Sequence, residues 1–268
     1  KRMEFTLEQW LGIKEHCEKV GLEFVASPFS VAAVRLLEKL NVQRYKIGSG
    51  EIRNNLMLEH LARTGKELWI STGMSNFSEI SEALAFLDTC STTQEHVLFQ
   101  CTTSYPTPPE KLGLNVIPEL AKRFNLPIGL SDHSGTIYAP LAATALGARY
   151  LECHVVFDKR MFGPDSQSSL SLPEFQQMVE GVRFLEKAYA KPVNKDDDLH
   201  FKELKKMFGK SLALSTSLML GEQLTLDHLE SKKPAEKGIP AESFREVLGK
   251  RVNRSIEAGN FIQWGDLD

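Results

Sequence analysis

The chain predicts an α/β fold built on a parallel sheet, and three observations carry that reading. Six short apolar runs recur along the sequence, each followed by a segment with helical periodicity. Strand-then-helix repetition of this kind makes neighbouring strands parallel. Most of the runs also end in small hydroxyl residues and glycines, which is how a strand hands over to a capped helix.

A helix-period segment opens the chain at 7–20. The apolar runs then fall at 22–27, 44–47, 68–72, 97–102, 127–131 and 149–155, and the helical patterns between them at 31–40, 56–64, 76–87, 116–123 and 139–146. A long amphipathic segment, Leu172 to Ala190, closes the series with Pro173 in its first turn, where a missing amide proton costs little. Around Lys191 to Phe208 the periodicity breaks at Pro192, Asn194, Lys195 and three successive aspartates, which read as a solvated linker. From 209 to 268 the apolar runs shorten, and Gly221, Gly238, Gly249 and Gly259 punctuate them. That is the pattern of a small separate domain, near the lower size limit for a self-sufficient core. The expected organisation is a first domain over 1–191, a linker over 192–208 and a second domain over 209–268.

The 268 residues carry a formal net charge of −3, so no overall basic field draws the chain to nucleic acid or to a membrane surface. No apolar run approaches the length of a membrane span and no secretory leader is evident. The four cysteines lack metal-site spacing and read as reduced thiols. The expectation is a soluble cytoplasmic protein.

Chemistry concentrates after the strands. His133 follows the run 126–130 and His154 follows Tyr150-Leu151, with an apolar helical segment between them. Imidazoles at the ends of adjacent parallel strands can converge on a divalent metal ion. A histidine at a strand end also serves as a loop residue or a core hydrogen bonder, so the pairing gains weight from its surroundings. Ser27-Pro28-Phe29-Ser30, Gly48-Ser49-Gly50-Glu51, Ser71-Thr72-Gly73-Met74, Thr102-Thr103-Ser104-Tyr105 and Ser131-Asp132-His133 all fall at one end of the sheet. Turns and helix caps account for some of them. Small hydroxyls and open amides repeated around one rim also cradle an oxyanion such as phosphate, and Lys46 emerges among them.

These segments, together with Tyr45-Lys46-Ile47, Gln100-Cys101, Tyr105-Pro106, Glu152-Cys153-His154 and Gly163-Pro164-Asp165, resemble in order the sialic acid (N-acetylneuraminate) synthase family. The tail, with Lys210-Ser211-Leu212, Lys233-Pro234, Gly238-Ile239-Pro240 and Gly249-Lys250, resembles the antifreeze-like SAF domain that follows the barrel in that family. The resemblance implies a (β/α)8 TIM barrel, of which this sequence lacks the first two βα units, and condensation of phosphoenolpyruvate with an N-acylated mannose-type amino sugar. The products would be a nine-carbon 2-keto sugar acid and phosphate.

By matching positions, the resemblance implies catalytic roles for Glu51, His133 and His154, with the two histidines holding Mn2+ or Mg2+. It further implies that Lys46, Ser49, Ser71 and Ser131, with Ser27 and Thr103, contact phosphoenolpyruvate, and that Tyr105 and Asp165 face the sugar. Lys233 would reach the site from a second subunit in a domain-swapped homodimer. Cys153 stands where the family has Arg or Lys, and Lys233 where it has Arg; an ammonium cannot reproduce the two-pronged guanidinium contact. A catalytically incomplete sugar-binding or dimerisation protein is the alternative, and a related phosphoenolpyruvate-condensing synthase is a third reading that the SAF-like tail disfavours.

Overall fold

A computed structural model describes residues 4–90, 95–196 and 199–268. They divide into two compact units, 1–191 and 192–268.

In the first unit the order is α1 (Leu7–Lys19), α2 (Val31–Lys39), β1 (Arg44–Ile47), α3 (Asn55–Ala62), β2 (Glu67–Ser71), α4 (Phe77–Cys90), β3 (His96–Cys101), α5 (Val116–Phe124), β4 (Ile128–Asp132), α6 (Tyr138–Ala145), β5 (Tyr150–Val156), β6 (Ser169–Ser171) and α7 (Leu172–Ala190). The six strands form one parallel sheet in chain order. Among the described residues it runs from β1 to β6 without closing on itself.

The helices take their starts from local chemistry. The Ser30 hydroxyl accepts from the Ala33 amide to cap α2, and the Asn54 side chain accepts from Met57 to cap α3. At α7, the Glu174 carboxylate accepts from both the amide and the hydroxyl of Ser171, each at 2.8 Å. Tyr45, Ile47, Leu68, Ile70, Leu98, Ile128 and Leu130 pack with Val34, Leu37, Met57, Leu58, Leu61, Ile80, Leu87, Ile117 and Leu120 in one buried core. Each such side chain contributes roughly 1.5–3 kcal/mol by leaving water. The Tyr45 hydroxyl within this layer donates to Glu38, which also pairs with Lys66.

Three expectations are corrected. The first apolar run, 22–27, is not a strand. Only Ala26 bridges to Tyr45, its carbonyl accepting from the Lys46 amide at 3.2 Å, and a single pairing partner on one side does not hold the run in register. The sixth strand is instead Ser169–Ser171, three residues too polar and too short to leave a periodic signal. The segment read as a linker is helical in its second half, α8 (Lys202–Phe208), where Leu204 and Phe208 border a groove with Ala235, Pro240 and Ala241 of the same unit while staying about half exposed. Of the aspartate cluster, residues 197 and 198 lie outside the described residues.

The second unit continues with an antiparallel pair, β7 (Ser211–Leu214) and β8 (Leu229–Lys232), and a short helix α9 (Phe244–Val247). Its own core joins Leu212, Leu214, Leu218, Leu224, Ile239, Val247, Val252, Ile256 and Ile262. All four cysteines are free. No helix among the described residues is long and apolar enough to cross a membrane.

Candidate active site

Strand alternation sorts the sheet into a packing face and a chemical face. Side chains two apart in a strand share a face. With Tyr45, Ile47, Leu68, Ile70, Leu98 and Leu130 committed to the helical core, Lys46, Trp69, Ser71, Phe99, Cys101, Ser131, Glu152 and His154 stand on the other face. Parallel register brings them side by side, Lys46 beside Trp69, Ser71 beside Phe99, and Ser131 between Cys101 and Glu152. His133 follows β4 by one residue and continues the Ser131 face past the strand end.

Lys46 anchors the deep end. Its ammonium donates to the Ser71 hydroxyl at 2.7 Å, lies 3.2 Å from the Glu152 carboxylate and stands 5.4 Å above the Phe99 ring. Trp69, Phe99 and Tyr150 form an aromatic floor, with the Trp69 and Tyr150 rings 5.3 Å apart. A cavity of about 330 Å³ opens here, lined by Val25, Ala26 and Ser27 on one flank and by Tyr150, Leu151, Glu152, Cys153 and Phe175 on the other. Cys153, where the resemblance leads one to expect a cation, carries a thiol that burial pushes up to about 11.

The hydroxyl rim converges on Gly73. The Ser49 hydroxyl accepts from the Gly73 amide at 3.0 Å and donates to the Cys101 sulfur at 3.5 Å. A Cβ placed on Gly73 would meet Thr103 Oγ1 at 2.8 Å and both Cys101 Sγ and Ser49 Oγ at 2.9 Å, so only glycine fits between these loops. Burial alone would raise the Cys101 thiol, but hydrogen bonds with His133, Ser49 and Ser131 and the nearby imidazole charge hold it below its ordinary range.

At the mouth, three rings meet. His133 and His154 have centroids 5.3 Å apart, and Tyr105 stacks on His133 at 4.2 Å while meeting His154 edge-on at 5.8 Å. His133 Nδ1 lies 2.9 Å from the Thr102 carbonyl, which can only accept, so Nδ1 carries a proton. Burial works against charge on His133, and it is outweighed by hydrogen bonds to Cys101 and Thr102 and by the charges of Cys101 and Glu152, which raise its pKa. Asp165 Oδ2 stands 3.9 Å from His154 Nδ1. Burial raises the Tyr105 phenol, and the charges of Cys101, Asp165 and Glu152 push it the same way.

This donor set fits a divalent ion. The imidazoles are close enough to share an ion bound roughly 2 Å from each nitrogen, and the orienting carbonyl on His133 is the usual partner of a metal-binding histidine. No group of three or more His, Cys, Asp or Glu among the described residues is arranged to hold a metal, so the pair would leave the remaining positions to oxygen ligands.

The structure therefore joins Lys46 with Ser71, Ser27 with the Lys46 cavity, Ser49 and Ser131 with Cys101, Thr103 with the Gly73 cradle, and Tyr105 and Asp165 with the histidines. Glu51 stands apart from these contacts, its carboxylate accepting from Asn54 Nδ2 at 2.7 Å. Lys233 belongs to the second unit, its ammonium 4.6 Å from the Phe208 ring. Sequence reasoning missed Glu152 and Cys101. The available signal was spacing, because Glu152 lies two residues before His154, and two residues along a strand is one face.

Comparison with known proteins assigns both units. Residues 1–194 match the NeuB family and residues 209–268 the SAF domain. An N,N'-diacetyllegionaminic acid synthase of Campylobacter jejuni is 33% identical over 98% of this chain and 78% of its own length. A human N-acetylneuraminate-9-phosphate synthase is 34% identical over 98% of this chain and 72% of its own length. Among solved structures, the N-acetylneuraminic acid synthetase of Leptospira borgpetersenii superposes with a TM-score of 0.70 at 30% identity, covering 75% of this chain and 71% of that one.

Proposed function

From the premise that this chain belongs to the NeuB family and carries a SAF domain, we propose that it condenses phosphoenolpyruvate with an N-acylated mannose-type sugar, forming a nonulosonate and inorganic phosphate. The observation that carries this reading is the placement of a paired lysine, a hydroxyl rim and two converging imidazoles along one face of one sheet.

Lys46 and Ser71 offer a charged donor and a hydroxyl for an anionic substrate, and Ser27, Ser49, Thr103 and Ser131 extend that cradle. In the reaction, phosphoenolpyruvate C3 attacks the sugar aldehyde carbon, water adds at the resulting cationic C2, and the C2–O bond breaks to release phosphate. Glu152, 3.2 Å from the Lys46 ammonium, would be the carboxylate that offsets positive charge developing at C2. His133 and His154 would hold the divalent ion, Mn2+ or Mg2+, which supplies Lewis-acid polarisation of the aldehyde when bound. Tyr105 and Asp165 border the imidazoles and would meet the sugar. Glu51, oriented by Asn54, is the carboxylate assigned to proton transfer with the sugar.

Closure into a (β/α)8 barrel is part of the same reading. The described sheet ends at β1 and β6, so closure would take further strands between those two edges. A cytoplasmic location and a domain-swapped homodimer also belong to it, with Lys233 reaching a partner's sugar site. Mixing a Lys233→Ala chain with a His133→Ala chain should restore activity through one composite site; demonstrated subunit exchange without recovery counts against the swap.

The reaction itself is tested by supplying the chain with phosphoenolpyruvate, Mn2+ and N-acetylmannosamine or its diacetamido analogues, and measuring phosphate release and the 2-keto acid product. His133→Ala and His154→Ala should each lower turnover at least about a hundredfold. If the chain binds phosphoenolpyruvate or the sugar without turnover, the non-catalytic alternative takes its place.

A further inference from the structure

We infer that Lys159 is a positioning residue, clamping the loop that follows His133 to the loop that carries Asp165 and so fixing the two imidazoles relative to each other. The inference rests on the proposed metal-holding role of the histidines and assigns a residue outside that set.

The Lys159 ammonium donates to the Gly135 carbonyl at 2.9 Å and to Glu174 Oε1 at 2.8 Å. Gly135 lies two residues after His133 and Lys159 five after His154, so one side chain joins the loops of both. Glu174 is itself fixed, its other oxygen accepting from the Ser171 amide and hydroxyl at the start of α7. Lys159 holds the Glu174 carboxyl below the ordinary range, chiefly through their hydrogen bond.

A second contact locks the same loops. Gly135 has φ +66°, and a Cβ there would stand 2.4 Å from the Gln167 carbonyl oxygen. Gln167 follows Asp165 by two residues, and the Asp165 carbonyl accepts from the Ser169 hydroxyl at 2.7 Å and the Ser168 amide at 3.0 Å. The β5 loop is thus rigid where it meets Gly135. The Lys159 ammonium, through its two hydrogen bonds, adds a charged anchor to the direct packing of Gly135 against Gln167.

The test is titration of Mn2+ alone into the full chain, following free Mn2+ by electron paramagnetic resonance. Lys159→Met should weaken Mn2+ binding at least about tenfold, and Lys159→Arg should bring it back to within about threefold of the parent. The melting temperature of either variant should move by no more than about 3 °C, because a half-exposed ion pair adds little global stability. Unchanged Mn2+ affinity in Lys159→Met overturns the inference, as does a loss that arginine fails to restore. If the parent chain itself takes up no Mn2+, it is the metal reading of the histidines that fails. The clamp is then read in the metal-free chain by hydrogen exchange over 134–138, which should quicken about tenfold in Lys159→Met and recover in Lys159→Arg; equal exchange in all three sinks it.

Discussion

At the scale of single residues, what matters is the company a polar group keeps. His96 opens β3 at the end of the strand remote from the candidate site, is 6% exposed, and neither ring nitrogen has a hydrogen-bond partner among the described residues. Burial depresses its pKa below the ordinary 6.5, against a smaller upward pull from Asp88. The unfolded chain therefore takes up this proton more readily than the folded one, so His96 costs stability as pH falls from about 6.5 through its lowered folded value. His96→Leu should flatten that loss and raise neutral-pH stability by roughly 1 kcal/mol, since it removes unsatisfied polar atoms. Urea denaturation of both proteins across pH 5–7 checks this, and parallel pH slopes would refute it. Gly73→Ala makes the opposite kind of test. Its methyl would enter the cradle of Ser49, Cys101 and Thr103, and the expected outcome is a loss of about 1–3 kcal/mol together with weakened phosphoenolpyruvate binding by calorimetry. The histidines, Lys46 and the serines were legible from the sequence because their chemistry is visible in the residue type. Glu152 and Cys101 were not, because a carboxylate or thiol within a strand acquires its role from the face it occupies and from neighbours on other strands.

At the scale of elements, legibility followed the strength of the local signal. Helix α7 begins and ends where Pro173 and its helical periodicity predict, and its Ser171–Glu174 cap explains the sharp start. The run at 22–27 has the apolar content of a strand, yet strand formation is decided by pairing, and Ala26 alone finds a partner. The polar β6 shows the converse: His154, Val155 and Val156 recruit it by register against Ser169, Leu170 and Ser171. Helix α3 ties an element to the site, because Asn54 both caps it and holds Glu51. Asn54→Ala should cost about 1 kcal/mol through the lost cap. Asn54→Ser keeps a cap acceptor but gives up the Glu51 contact, so it should retain most of the stability while sharing whatever catalytic loss Asn54→Ala shows. Equal stability of all three proteins would remove the cap from the account, and full activity in both variants would remove the Glu51 contact.

At the scale of the whole molecule, two separate cores stand behind one chain. The first lies between the sheet and its helices, around Leu68 and Ile70, and the second joins nine buried apolar side chains, from Leu212 to Ile262, around Val252. The change from long helix-period segments to short glycine-punctuated runs made the second unit legible; the helix at 202–208, inside the segment read as a linker, was not. Leu204 and Phe208 of that helix border a groove with Ala235, Pro240 and Ala241, some thirty positions downstream, while staying about half exposed, a long-range neighbourhood that local periodicity does not report. Cooperativity follows cores, since a cavity in one packed cluster destabilises the residues that share that cluster. Leu68→Ala should lower the melting temperature of the first unit at a cost of about 2–5 kcal/mol, and Val252→Ala should lower that of the second by a smaller amount. Calorimetry of the full chain, with Trp69 fluorescence reporting the first unit and Trp264 the second, distinguishes the two events. If either substitution shifts both signals equally, the chain unfolds as one cooperative body and the two cores are thermodynamically a single structure.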